Sequence, residues 1–157
     1  LAIYAQKYGM EYSVLRYANV FGPRQIADGE CGVIPIFVNN IMANKKSILM
    51  TYPDMPDGCT RDYVYISDVV RANMMVSQKP INDVVNIASG IELPIKDIYT
   101  AIVEVFDVEY NLEVVGPREG DVRRSVLDNS KAKRLIDWEP QVSLKEGLVN
   151  LRKYMKV

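Results

Sequence analysis

The 157-residue chain contains no histidine. That absence excludes Ser-His-Asp hydrolysis, Cys-His nucleophilic chemistry, His-ligated metals and imidazole acid–base catalysis together. Any proton transfer must run through Tyr, Lys, Asp, Glu or Cys. Cysteine is scarce as well. Cys31 and Cys59 show no Cys-x-x-Cys or zinc-finger spacing, which fits a reducing cytoplasm and no structural metal, with both side chains small and at least half-buried. No apolar run approaches about eighteen residues and no signal-peptide pattern is present, so nothing points to a membrane span or to secretion. An excess of either charge is also missing. Nineteen Lys and Arg oppose twenty Asp and Glu, a formal charge of −1, so there is no basic field to hold nucleic acid or an anionic membrane.

What is present is the composition of a globular domain, 48% apolar and 25% charged. A chain of this length buries roughly 70% of its unfolded surface. Helix-like and strand-like segments alternate along it. The opening LAIYAQKYGM has helical spacing with Gly9 as its stop, yet no N-cap and no initiator Met, so it reads as cut from a longer sequence. Strands are expected at 12–17, 47–50, 62–66, 84–89 and over NLEVV. Helices are expected over IPIFVNNIMAN with Pro35 in the first turn, VVRANMMVSQ capped by Ser67-Asp68, and PIKDIYTAIVEVF. SKAKRLI is expected to be capped by Asn129-Ser130, and the last helix by a Ser143–Glu146 capping box. Met74 and Met75 read as core. This order predicts an α/β fold with parallel pairing, and apolar runs such as VVNI suit strands covered on both faces.

Three loops place arginine beside glycine or acidic residues: Asn19 to Arg24, GCTRDYVYI with Arg61, and GPREGDVRR with Arg118, Asp121, Arg123 and Arg124. Arginine forks grip phosphate bidentately, and glycine lets backbone approach a ligand. Converging forks would suit a diphosphate. Each feature also has a local reading. Arg61 and Asp62 can form an ion pair, Asn19 an Asx-turn, and the 123–124 pair one exposed and one paired arginine. Tyr63 and Tyr65 alternate as sheet packing demands.

Taken in order, RYANVFGPRQ, GVIPIF, DGCTRDYVYISDVVRA, NIASG and PREGDVRRSVLDNSKAKRLIDWEPQVSLKEGL resemble extended short-chain dehydrogenase/reductases, and UDP-glucose 4-epimerases in particular. The resemblance spans the whole chain and corresponds to the C-terminal half of that family. It implies the C-terminal part of an NAD(P)-binding Rossmann-type fold: a mixed α/β substrate-binding domain over residues 1–157, plus strands belonging to the Rossmann sheet. The glycine-rich NAD turn and the catalytic Tyr-x-x-x-Lys would lie in the other half, so no catalytic residue is expected here. Tyrosine aided by lysine then takes the place that histidine would fill.

The resemblance further implies that Asn19, Arg61 and Arg118 contact the diphosphate of a UDP-sugar. Gly32, Val33 and Ile34 would meet the uracil through backbone groups at a helix N-terminus. Asp121 would serve the ribose or its loop, and Tyr17 and Ala18 would lie against the NAD nicotinamide. Ala18 stands where the family usually has Phe, and Cys59 where Gln is frequent. Counting seven residues on from Arg118 reaches Ser125, a small gatekeeper that would admit N-acetylhexosamine substrates. Arg24 reads as loop structure. The implied parent is a cytoplasmic, homodimeric epimerase of galactose metabolism, interconverting UDP-glucose and UDP-galactose through a 4-keto intermediate. A nucleotide-sugar dehydratase or decarboxylase of the same fold is the alternative, and a non-catalytic nucleotide- or protein-binding module is the alternative of another class. The 157 residues alone are expected to be inactive. Strands 12–17 and 84–89 are expected to lose parallel neighbours, compromising folding unless another chain covers the edges.

Overall fold

A computed structural model describes residues 1–28 and 32–156, which leaves Cys31 outside the described residues. The chain starts with helix α1 (Ala2–Tyr8), stopped by Gly9 in the left-handed conformation at φ 66°. Strands β1 (Ser13–Tyr17) and β2 (Asn19–Phe21) follow, then helix α2 (Val33–Met42) and strand β3 (Ser47–Met50). Short strands β4 (Thr60–Arg61) and β5 (Tyr63–Tyr65) lead into helix α3 (Ile66–Gln78). Next come β6 (Asp83–Ile87), β7 (Leu93–Pro94), helix α4 (Ile95–Phe106) and β8 (Leu112–Val115). Strand β9 (Arg124–Ser125) and helices α5 (Ser130–Ile136) and α6 (Leu144–Met155) complete the order.

β1 and β2 form one extended run that changes partners halfway. β1 pairs in parallel with β6, Ser13 opposite Asp83 and Tyr17 opposite Ile87. β2 pairs in parallel with β5, Asn19 opposite Tyr63. At the hand-over the Ala18 N–H donates to Ile87 O and the Asn19 N–H to Asp62 O. β3 pairs in parallel with β8, while β4 lies antiparallel to β7 and parallel to β9. The α/β class and the parallel pairing are therefore as the sequence predicts. β1 and β6 are each other's parallel partner, and among the described residues neither has a strand on its other edge. Strands β4, β7 and β9 escape the sequence reading because two residues carry no period.

Tyr63, Val64 and Tyr65 are all buried because β5 is covered on both faces. Tyr63 and Tyr65 pack with Phe21 into the larger core, and Val64 joins Val85, Ile87 and Trp138 in the smaller one. α4 supplies the larger core with Ile95, Ile98, Tyr99, Ile102 and Val105, one stripe at helical spacing. Burying each such side chain is worth about 1.5–3 kcal/mol. α6 begins with the expected capping box, Ser143 Oγ accepting from Glu146 N–H while the Glu146 carboxylate accepts from Ser143 N–H.

Two other expected capping bonds fail for one reason: tertiary partners claim the polar side chain. α3 starts at Ile66, and Asp68 is buried inside its first turn, accepting from Gln141 N–H and Val142 N–H at 3.0 Å each. Asn129 does stand at the N-cap of α5, but it makes no side-chain cap bond, and its Nδ2 donates to Ala88 O across the fold. Met74 is exposed, whereas Met75 packs partly against the smaller core. No helix among the described residues is long and apolar enough to cross a membrane.

Candidate functional site

A cleft of about 800 Å³ opens where β2, β4 and the start of α2 meet the loop after β8. Asn19, Gly32, Val33, Arg61, Arg118 and Asp121, spread over a hundred residues of sequence, all line it. Four other candidates stand elsewhere. Ile34 is buried in the larger core, one residue past the point where α2 faces the cleft. Ser125 lies beside Arg61 in the β4–β9 register but outside the lining. Tyr17 is exposed, its hydroxyl donating to Asn73 Oδ1 at 3.0 Å, and Ala18 is held by its backbone at the end of β1.

Local folding explains how the lining is held. Asn19 Nδ2 donates to Asp62 O at 2.9 Å, which orients the carboxamide and leaves its second hydrogen for a ligand oxygen. The Arg61 guanidinium donates to Thr60 O at 2.8 Å. The Arg61–Asp62 ion pair, the local alternative for that dipeptide, is not formed. Asp62 is buried and accepts instead from Ser89 N–H, Ser89 Oγ–H, Gly90 N–H and Leu127 N–H at 2.7–3.3 Å. Neither Arg61 nor Arg118 has a carboxylate partner among the described residues. Gly32 is the N-cap of α2 and has no side chain to cap it, and with Val33 it places the N-terminus of that helix on the lining of the cleft. Gly58, at φ 81°, sits where a Cβ would lie 2.8 Å from Leu49 Cδ1. It makes the turn that delivers Cys59 and β4 to the cleft.

Residues 116–123 bridge β8 and β9 as an exposed arm without regular structure, carrying Arg118 and Asp121. Buried Tyr52 ties the arm down, its hydroxyl donating to Asp121 Oδ2 at 2.8 Å and lying 3.3 Å from Arg118 O. Arg123 and Arg124 are both paired, which corrects the expectation of one exposed and one paired. Arg123 donates to both Asp54 oxygens at 2.5 and 2.7 Å and lies over the Tyr52 ring, 4.4 Å from its centroid. Arg124 makes two 2.7 Å bonds to Glu92, which also accepts from the Thr60 hydroxyl. The Arg124 and Thr60 bonds hold the Glu92 carboxyl down at about 2. Loss of solvent, followed by the Asp121 and Cys59 contacts, pushes the Tyr52 phenol up to about 12. Burial raises the Tyr63 phenol too. Both stay protonated near neutral pH, so neither serves as a base there.

The sequence reading misses several lining residues: Asn40, Lys46, Ile48, Met50 and Ile95. They reach the cleft only through the packing of α2, β3 and α4, and no motif marks them. Lys46 is shared with Glu113 at 3.2 Å. Cys59 lines the cleft as well and is buried, as expected. Two guanidiniums without carboxylate partners among the described residues, an oriented carboxamide and a helix N-terminus together suit an anion. Phe37, Leu49, Tyr63 and Ile95 add an apolar wall. The arrangement can bind and orient an extended anion.

A family model for GDP-mannose 4,6 dehydratase matches residues 1–151. A UDP-glucose 4-epimerase of Mycolicibacterium smegmatis is 34% identical over 157 residues, covering 99% of this chain and 49% of the relative. Among solved structures, the UDP-glucose 4-epimerase of Thermotoga maritima with UDP-glucose is 40% identical with a TM-score of 0.89, covering 98% of this chain and 48% of that one. The Thermus thermophilus UDP-glucose 4-epimerase in complex with NAD is 31% identical with a TM-score of 0.86, covering 99% of this chain and 50% of that one. A dTDP-glucose 4,6-dehydratase and a UDP-glucuronic acid decarboxylase match as well. The chain spans about half the length of the curated relatives it matches. Its fold, its ordered motifs and these matches agree that it belongs to the nucleotide-sugar epimerase and dehydratase family described by the GDP-mannose 4,6 dehydratase model.

Proposed function

We propose that this chain forms the substrate side of an NAD-dependent UDP-glucose 4-epimerase, whose glycine-rich turn and catalytic Tyr-x-x-x-Lys lie in a further, N-terminal half. The observation that carries this reading is the convergence of Arg61 and Arg118, neither paired with a carboxylate among the described residues, on one cleft beside the α2 N-terminus. In this reading the two guanidiniums and the Asn19 carboxamide hold the diphosphate. The backbone at Gly32 and Val33 meets the uracil, and Asp121 meets the ribose. Ile34 contributes by anchoring α2 in the core rather than by contact.

Tyr17 and Ala18 fit NAD as a flank only: they end β1 beside the cleft residue Asn19, and no glycine-rich phosphate turn lies among the described residues. When bound, NAD supplies reversible hydride acceptance from C4 of the sugar. The work of this chain is to grip the nucleotide firmly while leaving the hexose free to present either face of its 4-keto form. Such binding acts equally on substrate and product, as an epimerase near equilibrium requires. By itself the 157-residue chain then binds nucleotide without turning over substrate. Ser125, opposite Arg61 in the β4–β9 register though outside the cleft lining, is the small residue this reading places at the gatekeeper position for N-acetyl substrates. A cytoplasmic homodimer is the proposed working form.

A dehydratase or decarboxylase would use the same cleft, and both occur among the relatives. The test is calorimetric titration of the full-length protein with UDP, dTDP and GDP, together with an assay of UDP-glucose and UDP-galactose interconversion. Preference for UDP with interconversion is expected. Preference for dTDP or GDP assigns the alternative reaction, and binding of none leaves only the non-catalytic module.

A further inference from the structure

The arm over residues 116–123 carries two of the cleft residues, yet it has little to hold its shape. It is outside helix and strand, and residues 116–120 are exposed. Its C-terminal end is secured by the Thr60 N–H donating to Arg123 O at 2.9 Å and by the Arg123–Asp54 pair. Between Gly116 and Val122, the Tyr52 hydroxyl is the one hydrogen-bonded anchor among the described residues.

Tyr52 is suited to be a fixed post. Its ring is buried in the larger core, and its backbone is bridged to Met55 in both directions, at 3.2 and 2.9 Å. Yet its hydroxyl reaches out of that core to Asp121, on the lining of the cleft. By donating to Oδ2 it fixes the carboxylate and leaves Oδ1 for a ligand.

We infer that Tyr52 is a positioning residue for nucleotide binding, holding the Asp121 carboxylate in place through its hydroxyl without touching the ligand. The inference rests on the proposed nucleotide-sugar reading of the cleft. The phenol, pushed up to about 12, remains a donor throughout the neutral range. A donor to a charged acceptor is the stronger kind of hydrogen bond, so its loss should be visible in affinity.

The experiment compares the full-length parent with Tyr52→Phe, Asp121→Ala and the double variant. UDP affinity is measured by calorimetry, steady-state kinetics with UDP-glucose, and folding by thermal melting. Phe keeps the buried ring and the surface under Arg123, so the variant should melt close to the parent. The expected result is UDP binding about tenfold weaker or worse, a matching rise in KM, and kcat retained. In the Asp121→Ala background, Tyr52→Phe should cost much less, because the two act through one contact. Unchanged UDP affinity in Tyr52→Phe, or losses that simply add, would overturn the inference while leaving the nucleotide reading intact. A parent that binds none of UDP, dTDP and GDP removes both together.

Discussion

Arg61 and Asp62 are adjacent in the chain and serve different parts of the molecule. The guanidinium of Arg61 lines the cleft, and the carboxylate of Asp62 is buried where β6, the loop after it and Leu127 converge. Asp62 is also what Asn19 leans on, since both the backbone N–H and Nδ2 of Asn19 donate to Asp62 O. The ordering of the cleft therefore depends on a residue that never reaches it.

Replacing Asp62 with Ala leaves the amides of Ser89, Gly90 and Leu127 without their acceptor. Ser89 and Leu127 are half-buried and Gly90 is exposed, so water can replace part of what is lost, and the roughly 1–3 kcal/mol for an orphaned buried donor applies to the group rather than to each amide. Asp62→Ala should therefore lose about 1–3 kcal/mol in urea unfolding, more than a surface ion pair with Arg61 would contribute.

Gly147 sits inside α6, where a Cβ would come 2.6 Å from Phe21 Cζ and 2.8 Å from Tyr65 Cδ2. On an exposed helix Gly→Ala stabilises by about 1 kcal/mol. Here both rings are buried and cannot yield, and overpacking of this kind costs about 1–3 kcal/mol. Gly147→Ala should be destabilising in the same unfolding measurement, with the sign reversed from propensity.

Glu92 gives the β4–β7–β9 brace an acid dependence. Its folded-state value lies near 2, below the 4.5 of a free Glu, because Arg124 and Thr60 favour the charged form. The folded state thus binds fewer protons than the unfolded chain between these values. The contribution is complete above about pH 4.5 and disappears as the pH falls toward 2. Stability measured against pH should fall less steeply across that window in Glu92→Gln than in the parent.

Ser125 sets a prediction on selectivity. The full-length enzyme should turn over UDP-GlcNAc as well as UDP-glucose, and Ser125→Tyr should suppress the N-acetyl substrate more than the other. Turnover of UDP-glucose alone by the parent would contradict the gatekeeper role.

Much of this was legible in the sequence, and the remainder has physical causes. α4 announces itself by a stripe of apolar residues, and the Ser143–Glu146 capping box is local chemistry three residues apart. Asn19, Arg61, Arg118 and Asp121 lie in loops that mix arginine, glycine and acidic residues, and it is the order of the motifs, the family resemblance, that singles them out from Arg123 and Arg124. Asp68 misleads because its partners, Gln141 and Val142, lie more than seventy residues away. Short-range rules then award it a cap. Tyr52 is silent in the sequence for the same reason: a buried aromatic looks like core until the fold brings Asp121 to its hydroxyl. Lys46 and Asn40 join the cleft through helix packing that no spacing encodes.

The central claim, that Arg61 and Arg118 form a nucleotide diphosphate receptor, is tested most directly by calorimetric titration of UDP into Arg61→Ala, Arg118→Ala and the double variant of the full-length protein. Each single change should weaken binding about ten- to a hundredfold, the range for losing a hydrogen bond to a charged group, with melting little altered. A double variant that binds UDP as tightly as the parent would contradict the account.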